Sequence, residues 1–179
     1  MPSRALWSHR SGTALQDLLA SCCATLLLRP DSERPVYFSS PWMSDFVLFE
    51  NTFGEYGALF PESPDRLQFK YTDFLHRLAV LQDVRIVTVR GKGYEVSEKF
   101  VQTLLRTNTP RLGVRFAEQT YHEKGILAPD FYIEGSMNLT YMGTNVRDEK
   151  VVYHSHHGNE EYMASAYLNF DRLWDQLET

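Results

Sequence analysis

Hydrophobic and polar residues follow two different periods along this chain, and the changes of period predict alternating helices and strands. Apolar residues recur every three to four positions, as in a helix with one buried face, in residues 13–28, 72–81 and 160–177 and after Ser97. Continuous or alternating apolar and β-branched residues, which are typical of strands, occupy four further segments. These segments are residues 36–40, 84–89, 113–116 and 150–153.

Polar and turn-forming residues predict where several of these elements begin and end. Ser11 or Thr13 can cap the first helix, and Ser97 can cap the third, because a hydroxyl oxygen accepts a hydrogen bond from the first helical turn. Pro30 and Asp31 predict the end of the first helix.

The segments between these elements predict shorter structures. Pro41-Trp42 stops the first strand, and residues 45–49 indicate the start of a helix. Residues 51–66 mix glycine and proline with aromatic side chains, which predicts an ordered loop or lid because clustered aromatics are rarely left fully exposed. Residues 138–144 predict a helical turn that ends at Gly143.

Strands that alternate with helices indicate an α/β fold, in which a mixed β-sheet is flanked by helices. We predict that residues 1–179 form one domain with a helical N-terminal extension over about residues 1–32. A length of 179 residues suffices for a sizeable core. Hydrophobic and charged contents of 43% and 23% exclude a disordered chain.

The chain lacks the sequence features of membrane and secreted proteins. No apolar run approaches the roughly 20 residues of a membrane span, and the N-terminal residues lack the extended apolar core of a signal peptide. Cys22 and Cys23 are adjacent, which suits an ordinary disulfide poorly, so we interpret them as small buried hydrophobic residues of the first helix. We therefore expect a cytoplasmic location and no membrane partner.

The net charge of −5 opposes attraction of nucleic acid by the molecule as a whole. Any such attraction must come from a local patch of basic residues. Positive charge is concentrated at Arg85, Arg90 and Lys92 and, further on, at Arg106, Arg111, Arg115 and Lys124.

Residues 121–149 carry the polar groups with the clearest chemical meaning. His122 and Lys124 are two positions apart, and residues two apart on a strand point to the same face. An imidazole and an ammonium group are therefore predicted to lie side by side. An imidazole is a competent nucleophile near neutral pH, and the ammonium group supplies a fixed positive charge.

The residues that follow predict a hairpin that returns polar groups to this pair. Residues 126–127 continue the strand, Pro129-Asp130 forms a turn, and residues 132–134 form a second strand. Its end would set Ser136 and Asn138 beside the histidine and the lysine. A nucleophilic base, a cation and two neutral hydrogen-bonding groups suit an anionic, tetrahedral substrate, for which phosphate is the obvious candidate.

A second group of histidines raises the alternative of a metal site. His154, His156 and His157 lie close together in sequence, but no cysteine is near them. Gly158-Asn159 predicts a turn into the last helix. We therefore interpret these histidines as part of a solvated turn near the rim of the phosphate pocket, and we expect no bound metal.

The polar residues of the hairpin resemble the signature of the phospholipase D superfamily: His-x-Lys, an aspartate in the following turn, and Gly-Ser-x-Asn. The matching residues are His122, Lys124, Asp130, Gly135, Ser136 and Asn138. Glu149, just before a strand, resembles the family's acidic residue, and residues 39–42 resemble the end of its first core strand. The resemblance covers about residues 35–174 and implies a phospholipase D-like fold.

One departure from the family pattern concerns the turn. Five residues separate Lys124 from Asp130, where the family usually has four. Because this aspartate is structural rather than chemical in the family, the departure affects the turn geometry more than the expected activity. Asp130 and Gly135 are therefore carried over as structural residues of the motif.

The resemblance implies a phosphodiesterase that uses neither a metal nor another cofactor. In this mechanism one histidine attacks phosphorus to form a phosphohistidine, and a second histidine protonates the leaving oxygen and then activates water. His122 is the implied nucleophile, and Glu149 would orient it through its other ring nitrogen. Lys124 and Asn138 would bind the nonbridging phosphate oxygens, and Ser136 would add a hydrogen bond.

The family's active site needs two copies of this motif, and the chain carries one. The resemblance therefore implies a symmetric homodimer with one shared site.

Three functions remain open at this point. The first is a DNA endonuclease in restriction or anti-phage defence. The second is a phospholipase or phosphatidyl transferase, which should carry an amphipathic or basic membrane-binding segment that is not evident. The third is a catalytically silent subunit of a larger DNA-processing complex, for example one with a helicase or other defence-system partner. We favour the endonuclease.

Overall fold

The structure is a computed structural model that describes residues 3–8, 13–29 and 33–177. The strands of these ranges are β1 (Ser3–Trp7), β2 (Val36–Ser39), β3 (Val47–Glu50), β4 (Gln68–Lys70), β5 (Val84–Val89), β6 (Leu112–Ala117), β7 (Gly125–Ala128), β8 (Phe131–Gly135) and β9 (Lys150–Ser155). The α-helices are α1 (Ala14–Leu28), α2 (Tyr71–Leu81), α3 (Glu95–Leu105) and α4 (Glu160–Gln176). Gly57–Leu59 forms a 3₁₀ turn, and Met142–Val146 forms a π-helical turn.

Seven strands form one mixed sheet in the order β1-β9-β8-β7-β2-β5-β6. The neighbours β2, β5 and β6 run parallel, and the other neighbouring strands run antiparallel. Strands β3 and β4 form a separate antiparallel pair. The predicted α/β fold, a mixed sheet flanked by helices, is confirmed.

Helices cover both faces of the sheet because its central strands send apolar side chains to both sides. On β2, Phe38 packs into the larger core with residues of α1, α2 and α3. The neighbouring Tyr37 points to the opposite face, where its ring stacks on Phe170 of α4 at 5.2 Å. Both β2 rings are fully buried. None of the helices in the described ranges is long and apolar enough to cross a membrane.

The N-terminal region contains a strand that the sequence did not predict. Only a helix is predicted before residue 33, but Ser3–Trp7 forms β1 at the edge of the sheet, with Ser3 opposite His154 and Trp7 opposite Lys150. The helical prediction for residues 3–7 is wrong because no side chain of β1 is fully buried, so its apolar residues show no period.

Helix α1 is confirmed, but its predicted caps are not. Thr13 makes no capping hydrogen bond, and Ser11, Pro30 and Asp31 lie outside the described residues. Cys22 and Cys23 are free and buried on this helix, as predicted. Burial raises the pKa of the Cys22 thiol to about 12.

Residues 45–49 do not begin a helix, and that prediction is wrong. Val47–Glu50 forms β3, whose consecutive Leu48 and Phe49 are both buried. A short apolar run of this kind does not distinguish strand from helix, and pairing with β4 decides the outcome.

Residues 51–66 form an ordered loop, as predicted. The Asn51 amide donates to the carbonyl oxygens of Pro64 (3.1 Å) and Arg66 (2.8 Å), and the Phe60 ring stacks on Phe69 at 3.9 Å. The loop packs beside α2 and does not line the cleft described below, so it is not a lid over that cleft.

Ser97 does not cap α3, because that helix begins two residues earlier, at Glu95. Its buried hydroxyl instead donates to the carbonyl oxygen of Pro41 (3.1 Å) and accepts from the Met43 N–H (3.0 Å). Ser97 thereby fixes the segment that follows β2. On this helix Phe100 and Leu104 are buried, whereas Leu105 is 50% exposed.

The predicted hairpin is present as β7 and β8, with Ala128 opposite Phe131 across the Pro129-Asp130 turn. His122 and Lys124 are not on a strand, because β7 begins only at Gly125. The predicted helical turn lies later than expected: it covers Met142–Val146, with Gly143 inside it rather than at its end.

Candidate active site

An open cleft of about 580 Å³ lies where β7 and β9 begin and β8 ends. The described residues that line it are His122, Glu123, Lys124, Tyr132, Glu134, Gly135, Ser136, Lys150 and Val152. The structure therefore brings three of the predicted site residues, His122, Lys124 and Ser136, to one cleft.

The segment that carries His122 is irregular in backbone conformation but is tied to the end of β2. The Ser39 hydroxyl lies 2.6 Å from the Tyr121 hydroxyl and donates to the Glu123 carbonyl oxygen at 3.2 Å. The exposed His122 imidazole has no hydrogen bond or ion pair with any described residue. Its ring nitrogens are thus available to a ligand.

Lys124 is half-buried beside this histidine. Its Nζ donates to the His122 carbonyl oxygen at 2.8 Å, which holds the ammonium group at the cleft. Burial lowers the pKa of Lys124, and the negative charge of Glu149 partly offsets this by raising it. The carboxylate therefore helps to keep the lysine protonated.

Glu149 contacts Ser136 rather than His122. Its buried Oε2 accepts a short hydrogen bond from the Ser136 hydroxyl, and the Ser136 Oγ in turn accepts from the Lys150 N–H at 3.0 Å. A hydroxyl has one hydrogen to donate, so Ser136 must release Glu149 before it can donate to a ligand. The predicted contact of Glu149 with the imidazole does not occur in this structure.

Ser8, the residue that follows β1, hydrogen-bonds the backbone of Glu149. The Ser8 Oγ accepts from the Glu149 N–H at 2.7 Å and donates to the Arg147 carbonyl oxygen at 3.0 Å. The sequence does not predict this role of Ser8, because a serine after an unpredicted strand carries no recognisable signal.

Asn138 lies in a neighbouring cavity rather than in the cleft. This cavity has a volume of about 520 Å³, and Ser136 does not line it. The Asn138 side chain is 9% exposed, and its Oδ1 accepts from the Ser40 hydroxyl at 3.2 Å. The segment from Ser136 to Asn138 therefore borders the cleft at one end and this cavity at the other.

Asp130 and Gly135 occupy structural positions. Asp130 lies in the turn at the opposite end of the hairpin from His122, where its exposed carboxylate pairs with Arg29 at 2.8 Å. A side chain on Gly135 would not fit, because its Cβ would lie 2.1 Å from the Lys150 carbonyl oxygen. Gly135 thus permits the close approach of β8 to β9.

A hydrogen-bond network that the sequence did not reveal holds Glu134, one of the residues that line the cleft. Glu134 Oε1 lies 2.9 Å from His154 Nε2 and accepts from the Tyr162 hydroxyl at 2.6 Å. His154 Nδ1 lies 2.8 Å from the Ser3 hydroxyl. Burial, with the hydrogen bond to Glu134, raises the pKa of Tyr162 to about 12, so this tyrosine remains a donor.

The three C-terminal histidines do not act as one group. His154 is on β9 and is held by Glu134, so its predicted place in a solvated turn is wrong, whereas His156 and His157 are exposed in the turn before α4. Across the described ranges, no group of three or more His, Cys, Asp or Glu side chains is placed to hold a metal ion.

Several of the basic residues singled out in the sequence pack α4 and α2 rather than forming a patch at the cleft. The guanidinium groups of Arg85 and Arg115 lie over the Trp174 ring at 5.3 and 4.7 Å, and Arg85 also pairs with Asp171 at 3.1 Å. Arg111 donates to the Leu81 carbonyl oxygen. Of the predicted basic residues, Lys124 lines the cleft, where Lys150 joins it.

Comparison with solved structures, rather than with sequences, identifies the fold of this chain. No protein-family model matches the chain, and no curated protein matches it in sequence. Among solved structures, NucT from Helicobacter pylori matches with a TM-score of 0.61 and 9% identity, over 98% of this chain and 96% of that one. Nuc from Salmonella typhimurium, a phospholipase D family member, matches with a TM-score of 0.59 and 15% identity, over 98% and 95%.

A third solved structure shows the same arrangement inside a larger protein. The polyphosphate kinase from Porphyromonas gingivalis matches with a TM-score of 0.61 and 10% identity, over 98% of this chain and 26% of that one. The likeness to Nuc and NucT extends over nearly the whole of each chain and includes the sheet that carries the cleft. This chain has the fold of the phospholipase D superfamily.

Proposed function

We propose that this protein is a metal-independent phosphodiesterase and that it acts as a DNA endonuclease. The observation that carries the proposal is the cleft in which the unpartnered His122 imidazole lies with Lys124 and Ser136. This cleft combines a nucleophile, a cation and a hydroxyl held by a buried carboxylate. The order of these residues in the chain also matches the phospholipase D signature.

The proposed reaction has two balanced steps. In the first, a ring nitrogen of His122 attacks phosphorus, the P–O bond to the leaving strand breaks, and the histidine of a second copy gives its proton to the leaving oxygen. In the second, that second histidine removes a proton from water, the water oxygen attacks phosphorus, and the P–N bond breaks. The products are a free hydroxyl and a phosphate monoester end.

Lys124 is proposed to hold the nonbridging phosphate oxygens during both steps, because its ammonium group faces the cleft. Glu149 is proposed to position Ser136 and to keep Lys124 charged, which replaces the expectation that it orients His122 directly. Asn138 would contact the substrate from the neighbouring cavity.

The second histidine implies a homodimer with a shared site. The chain contains one His-x-Lys and Gly-Ser-x-Asn set, and the cleft is open enough for a second copy to approach. His122 is exposed, as a residue at such a junction must be in a single copy.

The fold does not determine that the substrate is DNA or that the protein acts in defence. One fold supports several phosphate chemistries, so the fold alone does not select the substrate. The described helices include no membrane-spanning segment, which gives a phospholipase no added support. A cytoplasmic location and a helicase or other defence-system partner remain predictions. The cleavage assay below tests whether the chain is instead a catalytically silent subunit.

Cleavage in excess EDTA tests the activity. Purified protein should cut DNA with the chelator present, because His122 replaces a metal-activated nucleophile. The His122→Ala variant should lose cutting by at least about a thousandfold, since no covalent intermediate forms. His157→Ala is the matched control: His157 is fully exposed, lies outside the cleft and should leave the rate unchanged.

Three results would contradict the proposal. Cutting that stops in EDTA would exclude the metal-free route, and cutting by His122→Ala at the wild-type rate would place the activity elsewhere. Cleavage of phosphatidylcholine vesicles with no cutting of single- or double-stranded DNA would favour the phospholipase.

A further inference from the structure

The cavity beside the cleft has the composition of a site for an aromatic, anionic ligand. The described residues that line it are Trp42, Ser44, Val96, Asn138, Thr140, Tyr141, Met142 and Arg147. Its volume of about 520 Å³ is within the range of small-molecule sites. None of these residues is acidic, although the whole chain has a net charge of −5.

The Trp42 ring and the Tyr141 backbone are held in place at the cavity. The Trp42 ring stacks on Tyr94 with centroids 4.8 Å apart, and its Nε1–H donates to the Gly93 carbonyl oxygen at 3.2 Å. On the other side, the Tyr141 N–H donates to the Ser44 hydroxyl at 3.3 Å, while its ring is 56% exposed. A fixed tryptophan ring together with an exposed tyrosine is the type of platform on which a nucleobase stacks.

The polar groups of the cavity are suited to a phosphate or a base edge. Arg147 is exposed, and its guanidinium has no ion-pair partner among the described residues. Asn138 is about nine-tenths buried; its Oδ1 is used by Ser40, and its amide nitrogen has no described acceptor. That amide is left to donate to whatever enters the cavity.

The cavity lies close to the cleft. Ser136 lines the cleft and Asn138 lines the cavity. Because these residues are two positions apart in the chain, their Cα atoms are at most about 7 Å apart. A strand with one phosphate at His122 would place a neighbouring nucleotide at this cavity.

We infer that the cavity between Trp42, Tyr141 and Arg147 binds a base of single-stranded nucleic acid next to the phosphate that is cut. This inference rests on the proposed function, because it names the strand whose phosphate occupies the cleft. Base stacking tolerates all sequences, so the cavity would favour unpaired strands rather than a particular sequence.

The test measures binding rather than cutting. Fluorescence anisotropy in excess EDTA would compare a fluorescein-labelled single-stranded oligonucleotide with an abasic oligonucleotide of the same length, both on the His122→Ala background. The ordinary strand should bind more tightly than the abasic one. Tyr141→Ala should weaken the ordinary strand at least about fivefold and leave the abasic strand nearly unchanged, because it removes only stacking.

Two further variants separate the contribution of the Tyr141 ring from that of the Arg147 charge. Tyr141→Phe keeps the ring and should keep binding, and Arg147→Ala should weaken both strands and reduce the salt dependence of binding, because it removes a cation. Phe53→Ala is the control, since Phe53 is 88% exposed, does not line the cavity and should have no effect when replaced.

The inference would be overturned if the wild-type cavity bound both strands equally, or if Tyr141→Ala bound as Phe53→Ala does. It would also be overturned if Tyr141→Ala converted a dimer to a monomer in light scattering with equal loss for both strands, because the patch would then be a contact between copies. A failed cleavage assay with intact Tyr141-dependent binding would instead reject the nuclease chemistry alone.

Discussion

Lys124 loses its proton at a lower pH than an ordinary lysine, because partial burial lowers its pKa. If its ammonium group holds the phosphate, activity must fall on the alkaline side at a pH below the usual lysine value of about 10.4. Glu149 opposes this effect, since its negative charge favours the protonated lysine.

The Glu149→Gln variant should therefore move the alkaline limb of kcat/KM to lower pH. The change removes the charge that raises the Lys124 pKa, while the amide oxygen can still accept from Ser136. A pH–rate profile measures the shift, and Glu33→Gln, an exposed residue before β2, serves as the control. An unchanged limb, or one moved to higher pH, would show that this carboxylate does not sustain the lysine charge.

Gly135 is the residue at which the motif is least tolerant of a side chain. In Gly135→Ala the new Cβ would lie 2.1 Å from the Lys150 carbonyl oxygen and 2.9 Å from the Val151 Cα. We expect the free energy of unfolding to fall by about 3 kcal/mol or more, and the melting temperature by about 6–12 °C.

The matched control for this change is Gly54→Ala. Gly54 also has a positive φ, of 79°, but a Cβ there meets no atom within 4 Å. Gly54→Ala should lower the free energy of unfolding by only about 1 kcal/mol. Thermal melts of the two variants would contradict the steric argument if they gave equal losses.

At the scale of single residues, the sequence identified His122, Lys124 and Ser136 because they stand close together in the chain around one hairpin, although the first two precede β7 rather than lying on it. It did not identify the true partner of Glu149, or the contacts among Glu134, His154 and Tyr162. Those contacts depend on the register of β8 with β9 and on the position of α4, which no local pattern encodes.

At the scale of elements, Ser97 shows how a helix fixes the loop beside the site. Ser97→Ala would leave the buried Met43 N–H without its acceptor, so the free energy of unfolding should fall by about 1–3 kcal/mol. Urea denaturation measures this change. Thr103→Ala, an exposed position on the same helix, should change the same quantity by no more than about 0.5 kcal/mol.

If Ser97→Ala were as stable as Thr103→Ala, the Met43 N–H would not need Ser97, and the loop after β2 would be held by other contacts. Thr88 is one such contact, since its hydroxyl also donates to the Pro41 carbonyl oxygen at 3.3 Å.

The elements that the sequence predicted well are those with a strong period and a buried face. The observed α1, α2 and α4 and the strand β5 start and end within one residue of the predicted ranges. By contrast, β1 is unburied at an edge and β3 is only four residues long, so each derives its structure from a distant partner strand. The segment of His122 is held by Ser39 and is similarly set by tertiary contacts.

At the scale of the whole molecule, the proposed shared site predicts a characteristic result when subunits are mixed. If each site needs the histidine of both copies, a dimer of one wild-type and one His122→Ala chain should be inactive. Refolding equal amounts of wild-type and His122→Ala chains together should leave about one quarter of the activity of the same total amount of wild-type protein.

Independent sites would instead leave about one half, which would reject the shared site. Light scattering of each protein before mixing must show a dimer, and a wild-type protein that is monomeric at assay concentration while still cutting DNA would also reject it.

The pairing of β1 with β9 has a consequence for how the protein is made. Ser3 and His154 are 151 positions apart, so at roughly 5–20 residues per second a ribosome needs about 8–30 s to add the partner strand. Through that interval the paired strand of β1 is missing from the nascent chain, and the Ser8 hydroxyl cannot yet bind the Glu149 N–H. The hydrogen bond by which Ser8 holds the Glu149 backbone can therefore form only after most of the chain has been made.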